Sequence, residues 1–413
     1  SEACEAILRE VTPLAAIETT LPDALGPVLA EDVISPLALP PWDNASMDGY
    51  AVRADDIRGA TAEAPMQLRV VATIPAGAAS NRSVKAREAA RIMTGAPLPT
   101  GADSVVRVED TDAGEDRVLV RSDRDALRTT RPRGEDIPSG AVAAARGEQL
   151  HPGHIGFLAS VGRARVSVVR RPRVAILASG DELVDVDRFA EVVAGSRIVS
   201  SNSYAIDAAV RAAGAEVIAL GIVRDDPADL RARIASCDCD LLITTGGVSV
   251  GAFDHTRRVI SELGGEGAHR FWRVRIRPGA PMAFGVVDGR PWLGLPGNPV
   301  SALVTFELFA RPAIRRLAGH SLVHRLPVAV QVQEGISINA PLTHFLRAVV
   351  WAAADGYQGR LTGPQGSGLM SSVARANALL IIPPERQHIA AGEVVAALLL
   401  RDDASHAAEP PAA

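Results

Sequence analysis

The segment RVAILASGDEL, residues 173–183, determines the architecture of the middle of this chain. Its apolar half, 173–178, has the length and composition of a buried β-strand, and a loop with a glycine and two acids follows directly. Further strands are predicted at 215–221, 240–245, 271–276 and 292–295, and helices at 200–213, 227–236, 255–263 and 299–318. Strands that alternate with helices in this way predict a parallel sheet covered on both faces.

Acidic residues follow the predicted strands at the points where a parallel sheet binds ligands. Glu182, Asp225 and Asp254 each come shortly after a strand. Because the carboxyl ends of parallel strands share one edge, we expect these carboxylates to converge. Carboxylate oxygens suit Mg²⁺, which leaves positions for phosphate oxygens and water. The structural alternative is that Asp254 caps the next helix and that Asp225 or Asp226 only starts one.

Two glycine-rich segments also follow strands of this sheet. GGVSVG at 246–251 and GLPGNP at 294–299 would allow backbone N–H groups to approach a phosphate closely. Gly246, Gly247 and Ser249 are therefore candidate ligand-binding residues. The first segment has neither the lysine of a P-loop nor the spacing of a dinucleotide-binding motif, so it names no substrate by itself. Within the second, Asn298 and Pro299 are predicted as the cap and first residue of a helix.

The composition excludes several classes of protein. The 413 residues, of which 47% are hydrophobic and 22% charged, are typical of a globular protein with several domains. A net charge of −5 gives no general attraction to nucleic acid or to an anionic membrane. Without a signal peptide or an apolar span, the expected location is the cytoplasm. The 3 cysteines cannot form a disulfide framework, so Cys237 and Cys239 are expected to be plain thiols.

The N-terminal part of the chain has a different pattern. Residues 1–40 are predicted as a helix, a loop and a short strand near 28–33. Residues 151–170 are predicted as a helix followed by a strand. Between them, 41–130 are rich in glycine, proline and short β-prone runs, which indicates a small β-rich module.

The C-terminal part changes pattern again. Valines alternate with other residues at 328–332, and Asp355-Gly356 is typical of a hairpin turn. Residues 320–401 are therefore predicted as a small β-barrel or sandwich. Residues 402–413 are expected to be a disordered tail.

Five motifs, taken in this order, identify a family. They are PWDNASMDGYA at 41–51, RIMTGA at 91–96, SGDEL at 179–183, GGVSVG at 246–251 and GLPGNP at 294–299. The chain resembles MoeA and the E domain of gephyrin across most of its length. The resemblance implies an elongated homodimer of multidomain α/β plus β subunits. In each subunit a parallel, MogA-like α/β domain is combined with an inserted β-rich domain and a C-terminal β-barrel.

The domain boundaries expected on this basis agree with the pattern along the chain. They are 1–40 with 131–170 for an elongated linker domain I, 41–130 for the inserted domain II, 171–319 for the α/β domain III, and 320–401 for the barrel domain IV.

The resemblance also implies an activity. A molybdopterin molybdotransferase of this kind inserts molybdate into adenylylated molybdopterin with Mg²⁺, and releases AMP and molybdenum cofactor. A MogA-like adenylyltransferase and molybdoenzyme maturation proteins are the implied partners. Two alternatives remain: a gephyrin-like scaffold with reduced catalysis, and the adenylylating activity of the MogA fold, which the four-domain layout disfavours.

Roles at the site follow from the resemblance, motif by motif. Asp48 and Thr94 are implied to complete the active site of the partner subunit. Glu182, Asp225 and Asp254 match the family's catalytic and metal-binding acids. The residues implied to bind the pterin, the phosphate or the oxyanion, beyond those of the glycine-rich segment, are Arg273, Arg277, Pro281, Ser301, Arg347 and Ser367.

The sequence departs from the family among its basic residues. Arg273 and Arg277 stand where the family usually has lysine, although arginine can also bind phosphate or molybdate, even through two hydrogen bonds. Ala280 stands where the family commonly has a lysine that faces molybdate. Its loss is expected to weaken oxyanion binding unless Arg275 or Arg277 takes over that role.

Overall fold

The alternating strands and helices in the middle of the chain form a six-stranded sheet, here called the central sheet. The computed structural model describes residues 2–224, 226–246, 259–260, 262–264, 269–401 and 403. In order across the central sheet, the strands are Glu216–Val223, Arg173–Ser179, Leu241–Thr245, Arg290–Leu295, Pro281–Val287 and His269–Arg273. The first four run parallel, which confirms the prediction for this part of the sheet.

The last two strands differ from the prediction. Pro281–Val287 was not predicted, and it forms an antiparallel hairpin with the neighbouring parallel strand. The hairpin turn contains Asp288 and Gly289, both with positive φ. His269–Arg273 lies earlier than the predicted strand 271–276, because Ile276–Arg277 pairs with a strand of the C-terminal barrel instead. The sheet is therefore antiparallel at one edge, and not parallel throughout.

Helices cover both faces of the central sheet, as predicted. On one face Val174 packs in the same apolar cluster as Ile206, and on the other its neighbour Ala175 packs with Leu230. The described helices are Glu2–Arg9, Ala54–Ile57, Pro152–Ser160, Phe189–Val193, Ser201–Ala212, Pro227–Ala235, Pro299–Thr305, Arg311–Leu317 and Met370–Arg375. None of the described helices is long and apolar enough to cross a membrane.

Two predicted helices need comment. The helix predicted at 299–318 is present, but a π-helical turn at Phe306–Ala310 interrupts its α-helical hydrogen bonding. The helix predicted at 255–263 lies largely outside the described residues, of which 259–260 and 262–264 are helical.

The β-rich module predicted at 41–130 forms a five-stranded sheet, here called the inserted sheet. Its strands in spatial order are Ser104–Arg107, Gly49–Val52, Glu88–Ile92, Met66–Ile74 and Arg117–Val120. Tyr50 is fully buried in its core. Gly49 cannot be replaced without a shift, because a Cβ there would lie 1.9 Å from the Val106 carbonyl oxygen.

Short antiparallel pairs join the segments on either side of the inserted sheet. The pairs are Ala16–Thr20 with Arg165–Val169, Val33–Ile34 with Val142–Ala144, and Asn44–Ala45 with Thr130–Arg131. The prediction missed the first of these strands and placed a strand at 28–33. In the structure Val28 and Leu29 form only isolated bridges, and the strand begins at Val33.

The C-terminal part closes into a five-stranded barrel. Its strands, in order around the barrel, are Val328–Val332, Val394–Leu399, Ala378–Ile382, Thr343–Ala353 and Gly356–Leu361. The first and last pair in parallel and complete the closure. Of the two predicted alternatives, the barrel is correct, and the hairpin turn before Gly356 is confirmed. The expected tail at 402–413 lies outside the described residues, except for Asp403.

Two further strand pairs and three 3₁₀ turns complete the described elements. They are the pair Leu183–Val184 with Ile198–Val199, the pair Ile336–Ser337 with His388–Ile389, and the 3₁₀ turns Leu21–Ala24, Val108–Asp110 and Val186–Arg188. All three cysteines are free thiols and buried, in agreement with the prediction.

Candidate functional site

A cavity of about 410 Å³ opens at the carboxyl edge of the parallel strands. The loops that follow three neighbouring strands supply its walls, so these loops share one edge as predicted. The residues that line it are Ser179, Glu182, Leu183, Ile198, Val199, Ser200, Ser201, Asn202, Thr245, Gly246, Pro281, Pro296, Gly297, Asn298 and Pro299. The cavity thus contains three of the predicted site residues: Glu182, Gly246 and Pro281.

Two glycines shape the cavity wall. Gly246 has φ +87°, and a Cβ there would lie 2.6 Å from the Ser179 carbonyl oxygen. Only glycine fits this conformation and this close approach of two loops. At Gly180, a Cβ would lie 2.7 Å from the carboxylate of Glu182, which shows that this carboxylate folds back over the loop.

The predicted metal site is only partly described. Glu182 lines the cavity, whereas Asp225, Asp254, Gly247 and Ser249 lie outside the described residues. Among the described residues, no group of three or more His, Cys, Asp or Glu side chains could hold a metal ion. The carboxylate of Glu182, together with the hydroxyl and amide oxygens of the cavity wall, provides the hard donors that Mg²⁺ prefers.

The helix beside the cavity, predicted at 200–213, spans Ser201–Ala212. Ser200 is its N-cap, and the Ser200 hydroxyl contacts the Ser203 hydroxyl at 2.7 Å. Asn202 is therefore inside the helix, and its Nδ2 donates a hydrogen bond to the Gly297 carbonyl oxygen at 2.7 Å. Its Oδ1 is buried without a partner in the described structure. Sequence reasoning missed this contact, because Asn202 and Gly297 are far apart along the chain.

A second helix begins at the cavity wall where it was predicted. Asn298 is the N-cap and Pro299 follows it, although the Asn298 side chain makes no capping bond. Instead, its Nδ2 donates to the Ser367 hydroxyl at 3.3 Å. The backbone N–H of Val300 donates to the Ser367 carbonyl oxygen at 3.1 Å. Ser301, one residue further, is 4% exposed. The barrel loop that carries Ser367 thus contacts the cavity wall directly.

Arg347 lies beside this barrel loop. It is 1% exposed, its Nε donates to the Ser372 hydroxyl at 3.0 Å, and its Nη2 donates to the Gly366 carbonyl oxygen at 3.0 Å. Its Nη1 is buried with no hydrogen-bond partner in the described structure. Burial lowers the pKa of Arg347 to about 10, which still leaves the guanidinium protonated at neutral pH.

None of the ion pairs among the described residues includes Arg347, so this buried cation has no carboxylate to balance it. Buried charges in proteins are normally paired, because an isolated charge loses its hydration without compensation. An arginine whose buried Nη1 group has no partner, and which no carboxylate among the described residues balances, is therefore suited to bind an anion.

The other predicted basic residues are exposed. Arg273 is opposite Pro281 in its strand pair, and Arg277 is opposite His344 in the barrel strand Thr343–Ala353. Burial and the charge of Arg277 lower the pKa of His344. Ala280, which replaces the family lysine, is half-buried, and its carbonyl oxygen accepts from the Val274 N–H at 2.8 Å.

Asp48 and Thr94 lie next to each other at the ends of two neighbouring strands of the inserted sheet, Gly49–Val52 and Glu88–Ile92. The backbone N–H and the hydroxyl of Thr94 both donate to the same Asp48 carboxylate oxygen at 2.7 Å. These two hydrogen bonds lower the pKa of Asp48, which is exposed like Thr94. Neither residue lines the cavity of the central sheet. They form a preorganised acid–hydroxyl pair on the surface of the inserted sheet.

The geometry defines a class of protein. A cavity at the carboxyl edge of a parallel sheet is where open α/β folds bind phosphorylated ligands. Here the cavity has a carboxylate and close-packed glycine loops, and a buried, unbalanced arginine lies beside the barrel loop that contacts its wall. These are the features of an α/β protein that binds an anionic, phosphate-bearing ligand next to a second anion.

Comparison with known proteins identifies the family. Residues 1–162 match the MoeA N-terminal region (domain I and II), residues 175–316 a probable molybdopterin binding domain, and residues 329–400 the MoeA C-terminal region (domain IV). The chain belongs to the MoeA family of molybdopterin molybdenumtransferases. This confirms the resemblance, the fold class and the expected transferase of molybdenum cofactor biosynthesis.

Individual relatives agree over nearly the whole length. The chain is 39% identical to Molybdopterin molybdenumtransferase 2 of Mycobacterium tuberculosis, covering 91% of this chain and 93% of that protein. It is 34% identical to Molybdopterin molybdenumtransferase of Staphylococcus aureus, over 98% and 96% of the two chains. The crystal structure of the molybdopterin biosynthesis moeA protein from Pyrococcus horikoshii superposes with a TM-score of 0.82 at 27% identity, over 96% of this chain and 98% of that one.

Proposed function

We propose that this protein inserts molybdate into adenylylated molybdopterin and releases AMP and molybdenum cofactor, with Mg²⁺. The observation that carries the proposal is the buried Arg347, for which the described residues provide no balancing carboxylate. Its neighbour Ser367 contacts the wall of a cavity that also contains Glu182. An oxyanion bound at Arg347 would therefore lie close to a phosphate-bearing ligand in the cavity. The names of the relatives support the same chemistry.

The cavity residues divide into two roles in this proposal. The backbone around Gly246 and Gly297 would approach the phosphates of the adenylylated pterin, since both glycines line the cavity. Glu182, with Asp225 and Asp254, would hold Mg²⁺. Bound Mg²⁺ supplies charge stabilisation for the phosphoanhydride oxygens.

The reaction breaks one P–O bond of the phosphoanhydride. An oxygen nucleophile attacks the adenylyl phosphorus and leaves as part of AMP. If the nucleophile is water, it loses a proton in this step; if it is a molybdate oxygen, its Mo–O bond must break, and a dithiolene sulfur would take the position that opens on molybdenum. The terminal pterin phosphate is the leaving group. Arg347 would hold the molybdate dianion near the dithiolene sulfurs, where charge-assisted hydrogen bonds fix its orientation.

The exposed Asp48 and Thr94 pair supports a homodimer. In a two-fold symmetric dimer, the same surface of each subunit meets its partner. We propose that this pair completes the cavity of the partner subunit. The domain limits that go with this arrangement are 1–40 with 131–170, 41–130, 171–319 and 320–401. No observation favours the scaffold alternative.

The setting of the reaction follows from its chemistry. We propose a cytoplasmic enzyme that receives its substrate from a MogA-like adenylyltransferase and delivers its product to molybdoenzyme maturation proteins. Nucleic acid and membrane are not expected as partners.

One assay tests the proposed function. AMP release from adenylylated molybdopterin should depend on molybdate and on Mg²⁺, and it should disappear with a chelator and return when Mg²⁺ is added. Glu182→Gln should abolish turnover and leave the thermal unfolding midpoint close to that of the wild type. AMP release that proceeds equally without molybdate, in both wild type and Arg347→Met, would contradict the proposal.

A further inference from the structure

One part of the cavity wall has only two backbone donors. The segment Pro296-Gly297-Asn298-Pro299, here called the wall segment, lines the candidate cavity. Proline has no N–H group, so only Gly297 and Asn298 can donate from the backbone of this segment. No described residue accepts a hydrogen bond from either of these two N–H groups. Both residues are exposed, so the two donors are accessible to a ligand in the cavity.

The side chain of Asn202 holds the wall segment from the neighbouring helix, Ser201–Ala212. Its Nδ2 donates to the Gly297 carbonyl oxygen at 2.7 Å. The Gly297 C=O and the Asn298 N–H belong to one planar trans peptide, in which the two groups point in opposite directions. The hydrogen bond from Asn202 therefore fixes the direction of the Asn298 N–H as well.

Stability alone does not explain an asparagine at position 202. The Oδ1 atom of Asn202 is buried without a hydrogen-bond partner in the described structure. An unpaired buried acceptor costs more free energy than one neutral hydrogen bond contributes. Asn377 in the barrel differs in this respect, because its Oδ1 accepts from the Val350 N–H at 2.7 Å and its Nδ2 donates to the Val350 carbonyl oxygen at 2.8 Å. Asn377 thus has the contacts of a structural amide, and Asn202 does not.

We propose that Asn202 is a positioning residue, which orients the Gly297–Asn298 peptide so that the Asn298 N–H donates to a phosphate oxygen of the ligand. This inference rests on the proposed function, in which the cavity binds the phosphates of adenylylated molybdopterin. A hydrogen bond to a charged oxygen is stronger than a neutral one, so the direction of this N–H affects ligand affinity. Without the Asn202 amide the peptide is free to rotate, and the N–H loses its fixed direction.

Two substitutions at position 298 isolate the N–H group. Asn298→Pro removes it, and the backbone there, with φ −65° and ψ 125°, already suits proline and a residue before proline. Asn298→Ala keeps the N–H and is the matched control, because both variants lose the hydrogen bond to the Ser367 hydroxyl. The probe is AMP, the phosphate-bearing product of the proposed reaction, and its binding to the full chain is measured by titration calorimetry. Asn298→Pro should bind AMP about ten- to a hundred-fold more weakly than Asn298→Ala.

Asn202→Leu tests whether Asn202 acts through this N–H group. Its unfolding midpoint should stay at or above that of the wild type, because the unpaired acceptor is removed together with the donor. AMP affinity should nevertheless fall by up to the same factor. In the Asn202→Leu background, the difference between Asn298→Pro and Asn298→Ala should nearly vanish, since the two positions act on one interaction. The control Asn377→Leu should lower the unfolding midpoint and leave AMP affinity unchanged.

Hydrogen exchange gives a measurement that needs no change at position 298. AMP should slow exchange of the Asn298 amide in the wild type and not in Asn202→Leu. Equal slowing in both proteins, equal AMP affinities of Asn298→Pro and Asn298→Ala, or an unchanged difference between them in the Asn202→Leu background would each overturn the inference. If the wild type binds neither AMP nor adenylylated molybdopterin, the proposed function itself is wrong, and the role of Asn202 fails with it.

Discussion

Replacing Arg347 with methionine should abolish molybdate-dependent activity and leave the free energy of unfolding nearly unchanged. Burial lowers the pKa of Arg347 to about 10, well below the usual value of an arginine. At about 1.36 kcal/mol per pKa unit, enclosing this charge costs roughly 3 kcal/mol. Methionine avoids that cost but loses two charged hydrogen bonds, each worth about 1.5–3 kcal/mol. Because the two contributions nearly cancel, Arg347→Met should have a free energy of unfolding within about 1–2 kcal/mol of the wild type.

The groups that Arg347 leaves behind support this expectation. The Ser372 hydroxyl retains its hydrogen bond to the Leu369 carbonyl oxygen, and Gly366 is exposed, so water can satisfy its carbonyl. Arg170→Met is the control, because Arg170 makes two hydrogen bonds to Asp240 and its loss leaves a half-buried carboxylate without them.

The assays are urea unfolding and molybdate-dependent AMP release. Arg347→Met should unfold near the wild-type midpoint and lose molybdate-dependent turnover, whereas Arg170→Met should be destabilised by about 3–6 kcal/mol. If Arg347→Met is destabilised as much as Arg170→Met, the arginine is a structural residue and the reasoning about its unbalanced charge is refuted.

Three further variants test other parts of the structure. Gly246→Ala should be destabilised by about 1–3 kcal/mol and inactive, since the residue would keep a positive φ and clash with a carbonyl; a wild-type unfolding midpoint would contradict this. Thr94→Val removes one of the bonds that lower the pKa of Asp48, so the acid limb of the pH–rate profile should move to higher pH, and an unmoved limb would show that Asp48 is not titrated in turnover. Burial, together with nearby arginines, lowers the pKa of His320 to about 4. The unfolded chain therefore takes up this proton at about pH 6.5 and the folded protein only near pH 4, so the free energy of unfolding decreases as the pH falls from about 6.5 to 4. In His320→Gln, the urea concentration at the unfolding midpoint should therefore decrease less between pH 7 and pH 4 than it does in the wild type.

Local patterns predicted most of the elements, and long-range pairing caused the errors. The parallel strands were predictable because each is a short, buried apolar run. Pro281–Val287 was missed because a proline and a flanking glycine hide its β-pattern, and only its pairing with Arg290–Leu295 makes it a strand. Likewise, Ile276–Arg277 continues the alternation of arginine with apolar residues that begins at Arg273, yet it pairs with the barrel.

In the candidate site, too, local patterns predicted some features and long-range contacts set the others. The position of Glu182 at the sheet edge follows from topology alone, and the structure confirms that it lines the cavity. The contact between Asn202 and Gly297, and the one between Asn298 and Ser367, join residues with no local signal. Sequence patterns therefore find residues that a strand positions, and they miss side-chain contacts between segments that are distant along the chain.

The structure also bears on the missing family lysine. The Ala280 carbonyl oxygen accepts a hydrogen bond from the Val274 N–H, and the residue is half-buried. Its methyl side chain carries no charge. Arg347, in contrast, is buried and unbalanced whether or not a lysine stands at position 280. The charge that requires an anion is thus on the barrel and not on the turn. Exposed arginines such as Arg273 and Arg277 keep their hydration, so they can attract an anion without holding it in one position. Loss of the lysine is therefore expected to weaken anion binding without abolishing it, because the buried charge that favours the anion remains.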